Sequence, residues 1–139
     1  MNSEFTISTD QALLDFGFIY SYLSGESYWA KNISKDKLLK AIKNSTCFGI
    51  YKKELQVGFA RVISDRASFA YICDVFVSED YRAIGLAGRL MNEIMSFPDF
   101  QTLRRWTLAT SDAHGLYEKH GFKSLAAPRN WMEILTPYQ

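Results

Sequence analysis

Asp74-Val75-Phe76-Val77-Ser78-Glu79-Asp80-Tyr81-Arg82-Ala83-Ile84-Gly85-Leu86-Ala87-Gly88-Arg89-Leu90 is the stretch on which the fold of this chain turns. An apolar, β-branched run stops at a polar turn, an arginine stands three residues before a glycine, and an amphipathic helix starts at once. A junction of this kind aims several backbone N–H groups and a helix N-terminus at one spot, which suits a phosphate. Gly85 permits φ > 0 and a close backbone approach, and Leu86, Ala87 and Gly88 fall in the first helical turn, whose N–H groups lack intrahelical partners. Neither G-x-x-x-x-G-K-[ST] nor G-x-G-x-x-G is present. Taken alone, an ordinary strand–helix connection accounts for the stretch equally well.

Working outward, Ser68 to Val77 predicts a strand dense in aromatic and β-branched residues. Leu86, Leu90, Met91, Ile94 and Met95 form one stripe of the helix that follows, and Pro98 ends that region. Upstream, Thr46–Tyr51 and Leu55–Ile63 flank the polar turn Lys52-Lys53-Glu54 as a hairpin. Ser34 caps a helix with Leu38, Leu39 and Ile42 on its buried face. Thr9 or Asp10 caps an earlier, largely apolar helix running to Leu23. Phe5 and Ile7 mark a short first strand. Downstream, Arg105–Thr110 reads as a strand, Ser111 or Asp112 caps a short helix through His120, and Gly121 ends it. Phe122–Leu125 and Trp131–Leu135 predict two closing strands. A helix crossing over between the strand ending at Val77 and that beginning near Arg105 makes those two parallel, so the sheet is mixed and the fold class α+β.

The chain has 139 residues, the length of one domain over 1–139, and it is 47% hydrophobic and 15% aromatic, enough to bury a core. Sixteen basic against fifteen acidic residues leave +1, so no general attraction draws the chain to nucleic acid or an anionic membrane. Cys47 and Cys73, each in an apolar run and without ligand spacing, predict small buried residues rather than a metal site. No basic, apolar leader and no apolar run of ~20 residues occurs, which predicts a cytoplasmic protein off the membrane.

The second chemical element is Asp112-Ala113-His114-Gly115-Leu116-Tyr117-Glu118-Lys119-His120-Gly121-Phe122. Strand–(Arg-x-x-Gly-x-Ala)–helix–strand–(Ala-x-x-Leu-Tyr-x-x-x-Gly-Phe) resembles the GCN5-related N-acetyltransferases (GNAT family), most closely from about Tyr71 to Phe122. The resemblance implies the three-layer acyl-CoA N-acyltransferase fold, a mixed, mostly antiparallel sheet between helices. It implies acetyl-CoA as cofactor: Arg82, Ala83, Ile84, Gly85, Leu86, Ala87 and Gly88 around the pyrophosphate, and the backbone of Phe76 and Val77 as a rail for pantetheine. Tyr117 then lies near the thioester sulfur as acid, and an amine attacks the acetyl group directly. Two departures bear on the cofactor: Arg or Gly is missing at Ala83 and Ile84, and Thr110 stands where the family often has Asn.

An amine with pKa ~10.4 must lose a proton before attack, and Asp74 and Glu26 are the candidate bases. Transfer from a tyrosine near ~10 to a thiolate near ~8.5 costs about 2 kcal/mol, so Tyr117 is expected to act by hydrogen bonding. Tyr28 and Trp29, with Glu26 beside them, are expected to line the acceptor pocket as an aromatic wall suited to a cationic amine. The expected acceptor is thus a primary amine on a small molecule or a peptide. Two alternatives stand beside it: an acyltransferase with another acyl donor, and an acyl-CoA-binding regulatory module without turnover. Trp131 and Ile134, expected to be exposed, leave a homodimer open.

Overall fold

The computed structural model describes residues 4–139. Five strands form one sheet in the order β1-β2-β3-β4-β5: β1 Phe5–Ser8, β2 Thr46–Lys52, β3 Leu55–Ser64, β4 Phe69–Val77 and β5 Arg105–Leu108. The first four are antiparallel to their neighbours and β5 runs parallel to β4, as the crossover predicts. The helices are α1 Phe16–Ser21, α2 Lys35–Lys43, α3 Leu86–Met95 and α4 His114–Glu118.

Two apolar layers sandwich the sheet. On one face Leu86, Leu90, Met91 and Ile94 of α3 and Tyr117 of α4 pack on Phe48, Ile50, Ala60, Val62, Ala70 and Ile72. On the other, Ile19, Leu23, Leu38 and Ile42 pack on Cys47, Phe59 and Phe76. The alternation along β2 follows the two-residue period of a strand, and β3 keeps it from Gly58 on, after one extra residue opposite Ile50 and Tyr51 puts Val57 in the α3 layer. In β4 it changes phase. Ala70 and Ile72 face the α3 layer, whereas Phe76, also even-numbered, faces α1 and α2. The change comes from a bulge: Phe59 pairs Phe76 but Arg61 pairs Cys73, and Asp74 inside it has φ 56. One extra residue reverses every side chain that follows.

Several local expectations need correction. The helix expected from Thr9 or Asp10 to Leu23 is broken in two. Asp10 caps a 3₁₀ turn at Gln11–Leu13, Leu14 is extended, and Asp15 starts α1 by accepting from Phe18 N at 3.1 Å. A π-helical turn, Tyr22–Glu26, follows. In α2, Ser34 is the cap as expected, but Leu39 is 43% exposed because only the Leu38–Ile42 spacing faces the sheet. The last helix is shorter than expected and has no side-chain cap: its N-cap is Ala113 rather than Ser111 or Asp112, and Thr110 Oγ1 closes the turn before it by accepting from Ala113 N at 3.1 Å. Strand β5 stops at Leu108 rather than Thr110. Phe122–Leu125 and Trp131–Leu135 form no strands, because neither finds a backbone to pair with in the single chain.

Gly49 in β2 is a close-approach glycine. The buried ring of Tyr51 lies back over it, so a Cβ there would stand 2.6 Å from Cζ and 2.8 Å from Cε1. Gly49→Ala is expected to cost about 1–3 kcal/mol through displacement of that ring. Urea denaturation checks this, and an unchanged midpoint would mean the ring moves freely.

Candidate active site

Strand β4 outruns its parallel partner. Pairing with β5 begins at Phe69↔Arg105 and ends at Ile72↔Leu108, so Cys73–Val77 continues with its β5-side edge unpaired. The divergence opens a cleft of about 380 Å³. Its walls come from four places: Tyr28 and Trp29 of the loop before α2, Tyr71–Val75 of β4, Ala109–Ala113 after β5, and Tyr117 of α4. Of the expected site residues, Tyr28, Trp29, Asp74, Thr110 and Tyr117 are therefore brought together.

The bulge aims Asp74 at the α1/α2 side of the sheet. Arg61 Nε donates to its Oδ2 at 2.8 Å, and Trp29 Nε1 donates to its Oδ1 at 2.9 Å. Arg61 Nη1 also donates to Ser45 Oγ at 3.1 Å. Asp74 thus fastens the aromatic loop to the middle of the sheet. A carboxylate has about four lone-pair sites, so two remain after these bonds. Tyr28 crosses the cleft mouth, its hydroxyl accepting from Ser111 N at 3.1 Å. Tyr22 stacks flat on Phe76 at 4.0 Å between centroids. The Phe76 side chain is thereby covered, leaving its backbone as the part available at the strand edge.

Glu26 does not join this group. It lies in a separate groove with Asp15, Glu79 and Asp80, beyond Tyr22. The carboxylate beside Tyr28 and Trp29 is Asp74. Arg61, Tyr71, Cys73, Ser111 and Asp112 were not expected in or behind the cleft. The one signal for Arg61 and Asp74 is that each interrupts an apolar strand run, which in a buried strand calls for a paired charge.

Burial pushes the Tyr117 hydroxyl up to about 12, with the nearby Tyr28 and Asp112 adding to the effect. Burial likewise pushes the Cys73 thiol up to about 12, ahead of the contribution from Asp74. Both stay protonated at neutral pH.

Beyond Val77 the chain makes a 3₁₀ turn at Glu79–Tyr81 and enters α3 through two left-handed residues, Ala83 (φ 64) and Gly85 (φ 87). Arg82 Nε donates back to Val77 O at 2.8 Å, and its Nη2 meets Tyr22 Oη at 3.4 Å, which ties the loop to the strand end. No side chain caps α3. Leu86 is buried and presents only its backbone, while Ala83, Ile84 and Gly85 are exposed. The loop therefore offers the first-turn N–H groups of Leu86, Ala87 and Gly88 to an anion.

A mixed sheet whose fourth and fifth strands part over a cleft, with a glycine loop leading into the next helix, defines an acyl-CoA N-acyltransferase fold. The acetyltransferase (GNAT) domain model matches residues 43–124. A curated protein of Gibberella zeae, described as a candidate acetyltransferase, is 31% identical over 84% of this chain and 77% of its own length. The chain belongs to the GNAT acetyltransferase family. The crystal structure of a candidate GNAT acetyltransferase from Xanthomonas campestris pv. campestris superposes with a TM-score of 0.94 at 48% identity, covering 96% of this chain and 94% of that one. A GNAT acetyltransferase from Elizabethkingia anophelis, solved with acetyl-CoA bound, shares the fold at a TM-score of 0.66 and 15% identity, over 94% of this chain and 87% of that one. Among the described residues no helix is long and apolar enough to cross a membrane.

Proposed function

We propose that the chain is an acetyl-CoA-dependent N-acetyltransferase that acetylates a primary amine of a small molecule. The observation that carries this is one continuous track: the uncapped start of α3, the unpaired edge of β4 from Val77 back to Cys73, and Tyr117 with Asp74 at its inner end. When bound, acetyl-CoA supplies an acetyl thioester. The N–H groups of Leu86, Ala87 and Gly88, with Ala83, Ile84 and Gly85 shaping the loop, hold its pyrophosphate. Arg82 braces that loop. The backbone of Phe76 and Val77 guides the pantetheine arm, and Thr110 flanks it from the opposite wall.

The cleft favours a cationic acceptor. Asp74 and Asp112 line it, and Lys and Arg do not. Tyr28 and Trp29 present ring surface beside Asp74, a setting that attracts an ammonium. Asp74 takes the role of holding the amine and receiving its proton in preference to Glu26, since only Asp74 borders the cleft. Cys73 is the one thiol in the cleft, but a neutral thiol is a poor nucleophile, which supports direct attack by the amine. Tyr117 donates a hydrogen bond to the leaving thiolate.

Isothermal titration is expected to give micromolar binding of acetyl-CoA, and no binding at high micromolar concentration would overturn the cofactor assignment. A thiol-release screen over an amine library then separates an enzyme from a binding module. Binding without release against every amine would favour the regulatory alternative.

A further inference from the structure

Both walls of the cleft have spent their N–H donors. Three successive residues after β5 border the cleft, and the N–H of each is occupied. Ser111 N donates to Tyr28 Oη at 3.1 Å, and Asp112 N and Ala113 N donate to Thr110 Oγ1 at 3.4 and 3.1 Å. On the opposite wall Trp29 Nε1 donates to Asp74 Oδ1 at 2.9 Å. Arg61 stands behind Asp74, does not line the cleft, and donates to Asp74 and Ser45. Successive free N–H groups are what a chain offers an anion. Here the oxygens of Tyr28 and Thr110 have taken them up.

Charge points the same way. Among the described residues, the charged side chains lining the cleft are Asp74, nearly buried, and Asp112, exposed at the rim. The donors that remain are hydroxyls, those of Tyr28, Tyr71, Thr110, Ser111 and Tyr117. All are neutral, and burial pushes the Tyr71 and Tyr117 phenols up. Neutral hydroxyls supply no counter-charge, so a carboxylate taken out of water here keeps most of its desolvation cost. An ammonium meets the reverse setting, with free lone pairs on Asp74 and the ring surfaces of Tyr28 and Trp29. The carboxylate of an α-amino acid is separated from its amine by a single carbon, so it enters wherever the amine goes.

We infer that the acceptor is an amine carrying no carboxylate, and that Tyr28 sets this limit by taking up the Ser111 N–H that a carboxylate would otherwise use. The inference rests on the acceptor role proposed for the cleft and adds the class of amine. Tyr28 is fixed on both walls at once. Its ring stands edge-on to Trp29, with centroids 5.0 Å apart at 87°, while its hydroxyl reaches across to Ser111. Free amino acids are refused although they carry the right nucleophile. Their uncharged amides, and the amines lacking the carboxyl group, are admitted. Rejection through an unpaired charge set against like charge discriminates by about 100-fold or more.

Calorimetric titration of the full chain saturated with coenzyme A tests this without turnover. The probes are trios built on phenylalanine, leucine and methionine: the amino acid, its amide, and the amine lacking the carboxyl group. In each trio that binds, amide and amine are expected within about tenfold of each other, and the amino acid about 100-fold weaker. Tyr28→Phe keeps the ring and frees the Ser111 N–H, so it should narrow the gap between amino acid and amide to about tenfold. Tyr28 is 58% exposed, so the fold should not change. An amino acid that binds as tightly as its amide, failure of every amine and amide to bind, or a gap that Tyr28→Phe leaves unchanged would each overturn the inference. Thiol release from the same trios separates it from the proposed activity. Selective binding without release upholds the inference and removes the activity, whereas release by the amino acids upholds the activity and overturns the inference.

Discussion

Asp74→Ala is expected to lower the free energy of unfolding by about 3–5 kcal/mol, the effect of leaving a buried cation without its counter-charge. The Arg61 and Asp74 side chains are 14% and 6% exposed, and their contact is 2.8 Å. The same substitution removes the acceptor of the Trp29 indole N–H, loosening the aromatic loop from the sheet. For a chain of this length the melting temperature should fall by roughly 10–20 °C. Adding Arg61→Met removes the stranded charge and should recover most of the loss, because the pair is worth less as a whole than either partner alone. Asp74→Asn should fall between, since it keeps an acceptor for Trp29 and tolerates the left-handed φ of 56 better than alanine. Urea denaturation of the two single variants and the double variant gives the coupling energy. A value below about 0.5 kcal/mol would mean that the two residues act independently. Activity separates a second role: if Asp74 also holds the acceptor amine, the refolded double variant stays inactive despite its restored stability.

This network shows where the sequence is readable and where it is not. The loop from Arg82 to Gly88 was legible because its requirements are local: a glycine where φ must be positive and a helix start directly after a strand. Tyr117 was legible only through its pairing with that loop in the family pattern. The Arg61–Asp74–Trp29 cluster was not, because its members are 13 and 45 positions apart and meet only after a bulge reverses the phase of β4. No glycine or proline announces that bulge. Glu26 was paired with Tyr28 and Trp29 because it is their sequence neighbour, whereas the sheet brings Asp74 there instead. The two closing segments have the composition of strands, but a strand exists only with a backbone to pair with, and composition does not supply one. Leu39 was placed inside by counting apolar residues, and α2 has a narrower buried stripe than that count assumes.

Tyr117→Phe is expected to lower kcat about 100-fold while leaving KM for acetyl-CoA little changed. Tyr117 is 8% exposed and borders the cleft. Its phenol, pushed up to about 12 by burial, lies some 3.5 units above a thiolate near ~8.5, so full proton transfer would cost about 5 kcal/mol rather than the 2 expected for an ordinary tyrosine. That is too much for a resting proton donor, so in the proposed mechanism the phenol acts as a hydrogen-bond donor to the charge that develops on sulfur. One such donor is worth about 2.7–4 kcal/mol, or 10²–10³ in rate. The lower end fits a single neutral phenol. Phenylalanine keeps the edge contact with Phe122, at 6.1 Å between ring centroids, so the fold should not change. The raised pKa also sets the pH behaviour. The folded state holds this proton more tightly than the unfolded one, so the stability it contributes is complete below pH 10 and is lost as pH rises toward about 12. Rates should therefore be compared from pH 6 to 9.5, where wild type and variant are expected to run parallel on a logarithmic scale. A wild-type alkaline limb in that range that vanishes in Tyr117→Phe would show that Tyr117 titrates during turnover. An unchanged kcat would remove it from the mechanism altogether.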